Sequence, residues 1–230
     1  MIWGIVLLLI MALVFGPMLW VRYVMRTYST EIAGMPGTGG ELAKHLVERF
    51  GLQGVTIEVS PLGDHYDPSG RKIGLSEDNY HQKSLTAVAV AAHEVGHAIQ
   101  HHQGDAKLAA RTSLAPWAER LARLSSGVIW AGPVVSILTQ THIPLRYLVL
   151  VGMSGLVARM LMHLVTLPTE WDASFGKALP VLVDGQYIAP GEEAAVRKIL
   201  RAAAFTYFAA ALADILNLVR WAAMLLRGLR

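Results

Sequence analysis

The sequence contains no cysteine, and only 16% of its 230 residues are charged. Without cysteine the chain cannot form a disulfide, and any zinc site must use histidine, aspartate or glutamate. The basic residues give a net charge of +3 and do not cluster, so we expect no nucleic-acid partner. Hydrophobic residues make up 53% of the chain, which is too apolar for an ordinary soluble domain and predicts membrane spans.

Lysine and arginine are also missing from the chain before Arg22. A cleavable signal peptide has a positive start and a cleavage site of small residues, and neither is evident, so we predict a retained transmembrane helix at 1–22. Further apolar stretches predict a transmembrane hairpin at 127–166 and a C-terminal transmembrane helix at 202–230. The remaining segments are predicted to form a zincin-like domain, at 23–126, and a return to that domain, at 167–201.

The predicted fold is mainly α with a small β element and about four transmembrane helices. Alternating residues predict strands at 54–60 and 71–75, and we expect the second strand at a sheet edge. Basic residues flank the first, second and fourth spans on one side: Arg22, Arg26, Arg120, Arg123, Arg197, Lys198 and Arg201. Because such residues mark the cytoplasmic face, we expect a multi-pass protein of the inner or plasma membrane with a cytoplasmic active site, although Arg220, Arg227 and Arg230 oppose this orientation.

The most informative pattern is His93-Glu94-Val95-Gly96-His97, inside an Ala/Val-rich run at 85–100 that predicts a helix. Positions four apart share a helix face, so His93 and His97 can bind one metal ion while Glu94 reaches a water beside it. The alternative is a pair of surface histidines on an amphipathic helix. Gly96 costs helix stability, which indicates either the close approach of another segment or a tolerant position.

A catalytic zinc site needs a third protein ligand. The candidates are His65, His81, His101, His102, Asp105, Glu119, His163, Glu170 and Asp172. His101 lies on the face of His93 but about 12 Å further along the helix, too far to share one ion. Glu170 is the best candidate because the predicted hairpin returns the chain to the side of the motif there, although a surface glutamate at a helix start explains it too.

Four segments resemble the bacterial YugP-type family of membrane neutral zinc metallopeptidases, over nearly the whole chain. They are Asp64–Pro68, Leu75–Asp78, Ala91–Gln100 and Leu167–Ser174. The resemblance implies a membrane-bound gluzincin-like peptidase with one Zn²⁺ per chain. By the same resemblance, His93, His97 and Glu170 would be its ligands.

Four more residues are candidates for supporting roles. Related sites often have an aspartate four residues after the ligand glutamate, where it supports a ligand histidine. This chain has Ser174 at that position and Asp172 two residues after the glutamate, so either could hold the histidine. His65 and Tyr66 are candidates for a second oxyanion donor, and a solvated loop is the alternative for both.

The expected function is hydrolysis of peptide bonds with Glu94 as general base, acting on a peptide or membrane-protein substrate. The resemblance implies a role in membrane-protein quality control. A non-catalytic zinc-binding membrane scaffold or adaptor and a hydrolase of non-peptide amides remain alternatives. Membrane lipid is an expected partner, and a protein partner or oligomer stays open. Arg159, His163, Thr166 and Glu170 form a polar stripe that could line a wet cavity, although Arg159 could instead extend to the membrane surface.

Overall fold

The computed structural model describes residues 2–140 and 145–227, without the side chains of 2–10, 13–14, 136, 145–146, 224–225 and 227. The helices are α1 (Ile2–Thr27), α2 (Gly39–Arg49), α3 (Glu77–His81), α4 (Leu85–His102), α5 (Ala106–Leu138), α6 (Leu145–Trp171), α7 (Leu179–Asp184) and α8 (Glu193–Arg227). The strands are β1 (Thr56–Val59), β2 (His65–Asp67) and β3 (Lys72–Leu75). A π-helical segment, Asp172–Ala178, joins α6 to α7, and a 3-10 turn, Pro190–Glu192, precedes α8. The prediction of a mainly α fold with a small β element is confirmed.

The chain divides into two compact units. Unit 1 consists of Met1–Val14, Ala110–Thr166 and Tyr207–Arg230, and unit 2 consists of Phe15–Ala109 and Leu167–Thr206. The domain boundaries proposed from the sequence stay predictions.

Two helical stretches within 2–140 and 145–227 are long and apolar enough to cross a membrane, Tyr147–Asp184 and Pro190–Ala223. Within these residues, the prediction of about four transmembrane helices is therefore wrong. The apolar stretch at 127–138 is the end of the long helix α5 and reaches only about 18 Å, short of the ~30 Å of a bilayer core. The predicted span at 1–22 and the hairpin link at 139–146 lie partly outside the described residues.

Helix α4 is the central helix of unit 2. All of its residues from Leu85 to Gln100 are buried, as expected for a core helix. Its start is capped by Ser84, whose hydroxyl accepts a hydrogen bond from Ala87 N at 3.2 Å. Helix α2, which packs against α4, begins with a capping box of Thr38 and Glu41. The largest buried apolar side chains of this core include Leu46, Ile73, Leu75, Leu182, Ile199 and Leu200.

The three strands form one sheet in the order β1-β3-β2. Strand β3 is parallel to β1 and antiparallel to β2, so Ile73 lies between Ile57 and Tyr66. The expectation that 71–75 forms a sheet edge is therefore wrong. The edge strand β2 is not among the predicted strands, because turn-forming residues surround its three positions. It packs against α4.

Candidate metal centre

Three ligand-type side chains from two distant parts of the chain meet in the interior of unit 2. The Nε2 atoms of His93 and His97 lie 3.2 and 3.4 Å from the same Glu170 carboxylate oxygen, Oε2. The potential ligand atoms of all three residues lie within 4.8 Å of one another. None of the three is more than 5% exposed. The ligand set expected from the sequence is thus assembled in one buried group.

Two helices bring this group together. The four-residue spacing on α4 turns both imidazoles to one face, with ring centroids 4.8 Å apart. Glu170 lies near the end of α6, where the backbone changes into the π-helical segment. A Cβ at Gly96 would lie 2.7 Å from the Ala173 carbonyl oxygen, so glycine lets that segment approach α4 closely. Of the two explanations left open for Gly96, the close approach of another segment is confirmed.

Ser174 fixes the orientation of His93. The Ser174 hydroxyl donates to the Leu200 carbonyl at 3.2 Å and lies 3.1 Å from His93 Nδ1. Because the hydroxyl already donates its only proton to the Leu200 carbonyl, Oγ can only accept a hydrogen bond from Nδ1–H of His93. The lone pair of neutral His93 is then on Nε2, which faces Glu170.

Gln100 fixes His97 in the same way, and sequence reasoning missed it. Its Nε2 donates to the Thr169 carbonyl at 2.9 Å and to Asp172 Oδ2 at 2.8 Å. Both partners only accept, which determines the orientation of the amide. Its Oε1 therefore accepts from His97 Nδ1–H at 3.0 Å. Of the two candidates for histidine support, Ser174 contacts a ligand directly, whereas Asp172 acts through Gln100.

The chemistry of these donors fits a divalent cation. With both Nδ1 atoms protonated, two neutral imidazoles point lone pairs at a negative carboxylate oxygen, so acceptors face acceptors. A cation between them removes this conflict, and two His nitrogens with one Glu oxygen form a ligand set that zinc accepts. His93, His97 and Glu170 would hold the ion.

The other predicted site residues have different surroundings. Glu94 lies beside His93 on α4 and is 6% exposed, and its role as a base stays a prediction. His65 Nδ1 lies 2.9 Å from the Gly63 carbonyl oxygen. Tyr66 Oη lies 2.7 Å from His101 Nδ1, one helical turn beyond His97, and burial raises the pKa of this phenol. Among the described contacts, neither His65 nor Tyr66 touches a ligand residue.

Gln100 follows His97 by three residues, on a helix already predicted to carry ligands. The signal available in the sequence was this spacing, because positions three apart are neighbours on a helix surface. Its partners, Thr169 and Asp172, are about seventy residues away, and their approach could not be derived from the pattern of α4.

Two histidines four residues apart on a core helix, with a distant glutamate between them, define a candidate metal centre of the kind that zinc peptidases use. The chain belongs to the family described as "Putative neutral zinc metallopeptidase", whose model matches residues 3–226. It is 35% identical over 221 residues to a Bacillus subtilis (strain 168) protein named "Putative membrane protease YugP", covering 93% of each chain. No solved structure matches the chain.

Proposed function

We propose that this chain is a membrane-bound zinc endopeptidase of the gluzincin type. The observation that carries the proposal is the buried convergence of His93, His97 and Glu170, with each imidazole held by a neutral acceptor at Nδ1. The family's description and the name of the Bacillus relative agree with a protease that acts at a membrane. The two long apolar helical stretches agree with a membrane location.

His93, His97 and Glu170 would hold a zinc ion, which would supply Lewis acidity for activating a water and polarising a substrate carbonyl. Glu94 is the general base: it takes the proton of the attacking water and delivers it to the leaving amine. Ser174 and Gln100 keep the two histidines in the tautomer that binds a cation. The burial of the group excludes bulk water and strengthens each charge interaction.

A catalytic site is favoured over a structural zinc scaffold by the number of ligands. Structural zinc sites usually use four protein ligands, whereas catalytic sites use three and keep one position open. Within the described part of the chain, the group contains three ligand residues. A purely structural site would also need no general base, whereas Glu94 directly follows His93 on α4.

Strand β2 is the proposed binding edge for an extended peptide. It lies at one edge of the sheet, where β3 is its neighbouring strand, and it packs against α4. Strand addition there would recognise the substrate backbone more than its side chains. The proposed substrates are therefore unfolded or extended segments, in keeping with the quality-control role that the family resemblance implies.

The test compares the wild type with Glu94→Gln, using the detergent-purified full chain, casein as substrate and zinc content as a second readout. Loss of a general base lowers turnover by roughly 10²- to 10⁴-fold, while the ligands still hold zinc. Glu48→Gln is the matched control, since this exposed glutamate lies on α2 of the same unit. Equal zinc content with unchanged cleavage in Glu94→Gln would exclude the mechanism.

A further inference from the structure

Unit 1 contains a cavity of about 740 Å³ lined by α5, α6 and the Tyr207 side chain of α8. Three arginines and one glutamate line it: Arg111, Arg123, Arg159 and Glu119. Arg159, His163 and Thr166 of the predicted polar stripe also lie in its wall. The zinc chemistry proposed above uses none of these side chains.

The cavity forms where two tightly packed helices separate. A side chain at Gly152 would collide with Ile129, and one at Gly155 would lie 2.7 Å from the Ser125 Cβ, so α5 and α6 are in close contact there. The lining of the cavity lies beyond this contact, and its floor consists of the small side chains Ala115, Ala118 and Ala122. Small residues leave room for a ligand between the longer polar side chains.

Two of the arginines are held in place by partners on α8. Arg159 Nη2 donates to Asp214 Oδ1 at 2.9 Å, and Asp214 is only 1% exposed. Arg111 Nη2 donates to Tyr207 Oη at 3.2 Å, and its guanidinium lies 5.7 Å from the centre of the same ring. The third arginine, Arg123, pairs with Glu119 on α5. A guanidinium has five N–H donors, so it can bind a ligand in addition to such partners.

Arg123 and Arg159 lie at the same distance from the hairpin end of their helices. Arg123 precedes Leu138 by about 22 Å and Arg159 follows Leu145 by about 21 Å, at the rise of an α-helix. The stretches between expose large apolar side chains: Val128, Trp130, Val134, Val135, Ile137, Leu138, Tyr147, Leu150, Val151 and Val157. Such a surface suits a lipid environment, and the long side chains of arginines can extend along it toward lipid headgroups.

We propose that this cavity binds the phosphate of an anionic phospholipid. The three arginines outnumber the two nearby carboxylates, Glu119 and Asp214, and the remaining positive charge favours an anion. Guanidinium groups bind phosphate oxygens in a bidentate manner. The apolar surfaces next to it can contact the acyl chains. The inference rests on the membrane location proposed above and is independent of the zinc chemistry.

The test measures lipid binding by native mass spectrometry of the detergent-purified full chain. Phosphatidylglycerol and phosphatidylcholine with identical acyl chains are the probes, and inorganic phosphate is the competitor. Arg111→Gln and Arg123→Gln should each weaken phosphatidylglycerol binding about fivefold, the effect of roughly 1 kcal/mol per basic residue at a membrane surface. Arg159 is left intact because its loss would leave Asp214 buried without its cation.

Arg120→Gln is the matched control, because Arg120 lies over the Trp117 ring at 5.0 Å on the same helix and does not line the cavity. Preferential phosphatidylglycerol binding that falls in the two cavity variants but not in the control supports the proposal. Equal binding of both lipids, or an equal loss in Arg120→Gln, overturns it. Displacement by millimolar inorganic phosphate would identify a free-anion site and overturns it too. Zinc content, measured on every variant, detects misfolding and reports separately on the metal centre.

Discussion

Helix α6 contributes to a histidine–carboxylate cluster in each unit, and the two clusters differ in one component. In unit 2, Glu170 lies within 3.4 Å of the Nε2 atoms of two histidines. In unit 1, Asp214 lies 3.6 Å from His163 Nε2, but Arg159 is closer, at 2.9 Å. Both carboxylates are buried.

The difference shows what distinguishes a metal site from an ion pair. The arginine of unit 1 supplies the positive charge that a buried carboxylate requires, so that cluster needs no cation from solution. In unit 2 the Nδ1 atoms of the two histidines contact neutral groups, the hydroxyl of Ser174 and the amide oxygen of Gln100. We propose that a metal ion bound between these histidines and Glu170 would supply the positive charge there.

The most direct test of this difference replaces the carboxylate of each cluster by its neutral amide. Glu170→Gln removes the anionic ligand, so zinc affinity should fall by more than the ~10–100-fold that loss of an outer partner costs. Asp214→Asn removes a carboxylate of similar burial and should leave zinc content unchanged. Zinc per chain after dialysis against graded chelator measures both. Similar zinc loss in the two variants would mean that the clusters are not distinct.

A second test concerns the hydrogen bonds at Nδ1. Gln100→Leu removes the acceptor of His97, and Ser174→Ala removes that of His93, so each imidazole can adopt the wrong tautomer. Each change should lower zinc affinity by roughly 10–100-fold. Gln103→Leu is the control, because Gln103 is the exposed C-cap residue of the same helix.

Imidazole ¹H–¹⁵N spectra separate loss of orientation from general destabilisation. In the wild type both histidines should show protonated Nδ1, and each variant should lose that signal at one histidine only. Loss of zinc with both Nδ1–H signals intact would contradict the proposed role of these two side chains.

The sequence predicted features that depend on local spacing. The histidine pair on one face of α4 follows from two positions four apart on a helix. Glu170 was the best of several candidates because of the predicted hairpin, and the family resemblance then supported it. Its approach to α4 depends on tertiary packing, which spacing alone does not encode.

The wrong and missing predictions also result from contacts between residues that are distant in sequence. Three residues make strand β2, and only its pairing with β3 stabilises that conformation against the surrounding turns. The apolar end of α5 resembled a separate span, because composition does not show that the preceding polar helix continues into it. Gln100 was overlooked because its partners lie far away in sequence.

The prediction with the smallest expected effect concerns stability and compares one glycine from each unit. At Gly96 a Cβ would meet the Ala173 carbonyl oxygen at 2.7 Å and Lys177 Cβ at 3.3 Å, whereas at Gly127 on α5 nothing lies within 4 Å. Gly96→Ala should therefore lower the free energy of unfolding by about 1–3 kcal/mol, since the backbone of the π-helical segment must move. Gly127→Ala should raise it by up to about 1 kcal/mol through helix propensity. Denaturant titration of the zinc-loaded chain measures both, and the opposite signs are the prediction. Stabilisation by Gly96→Ala would mean that the segment carrying Ser174 does not pack as closely on α4 as the metal centre requires.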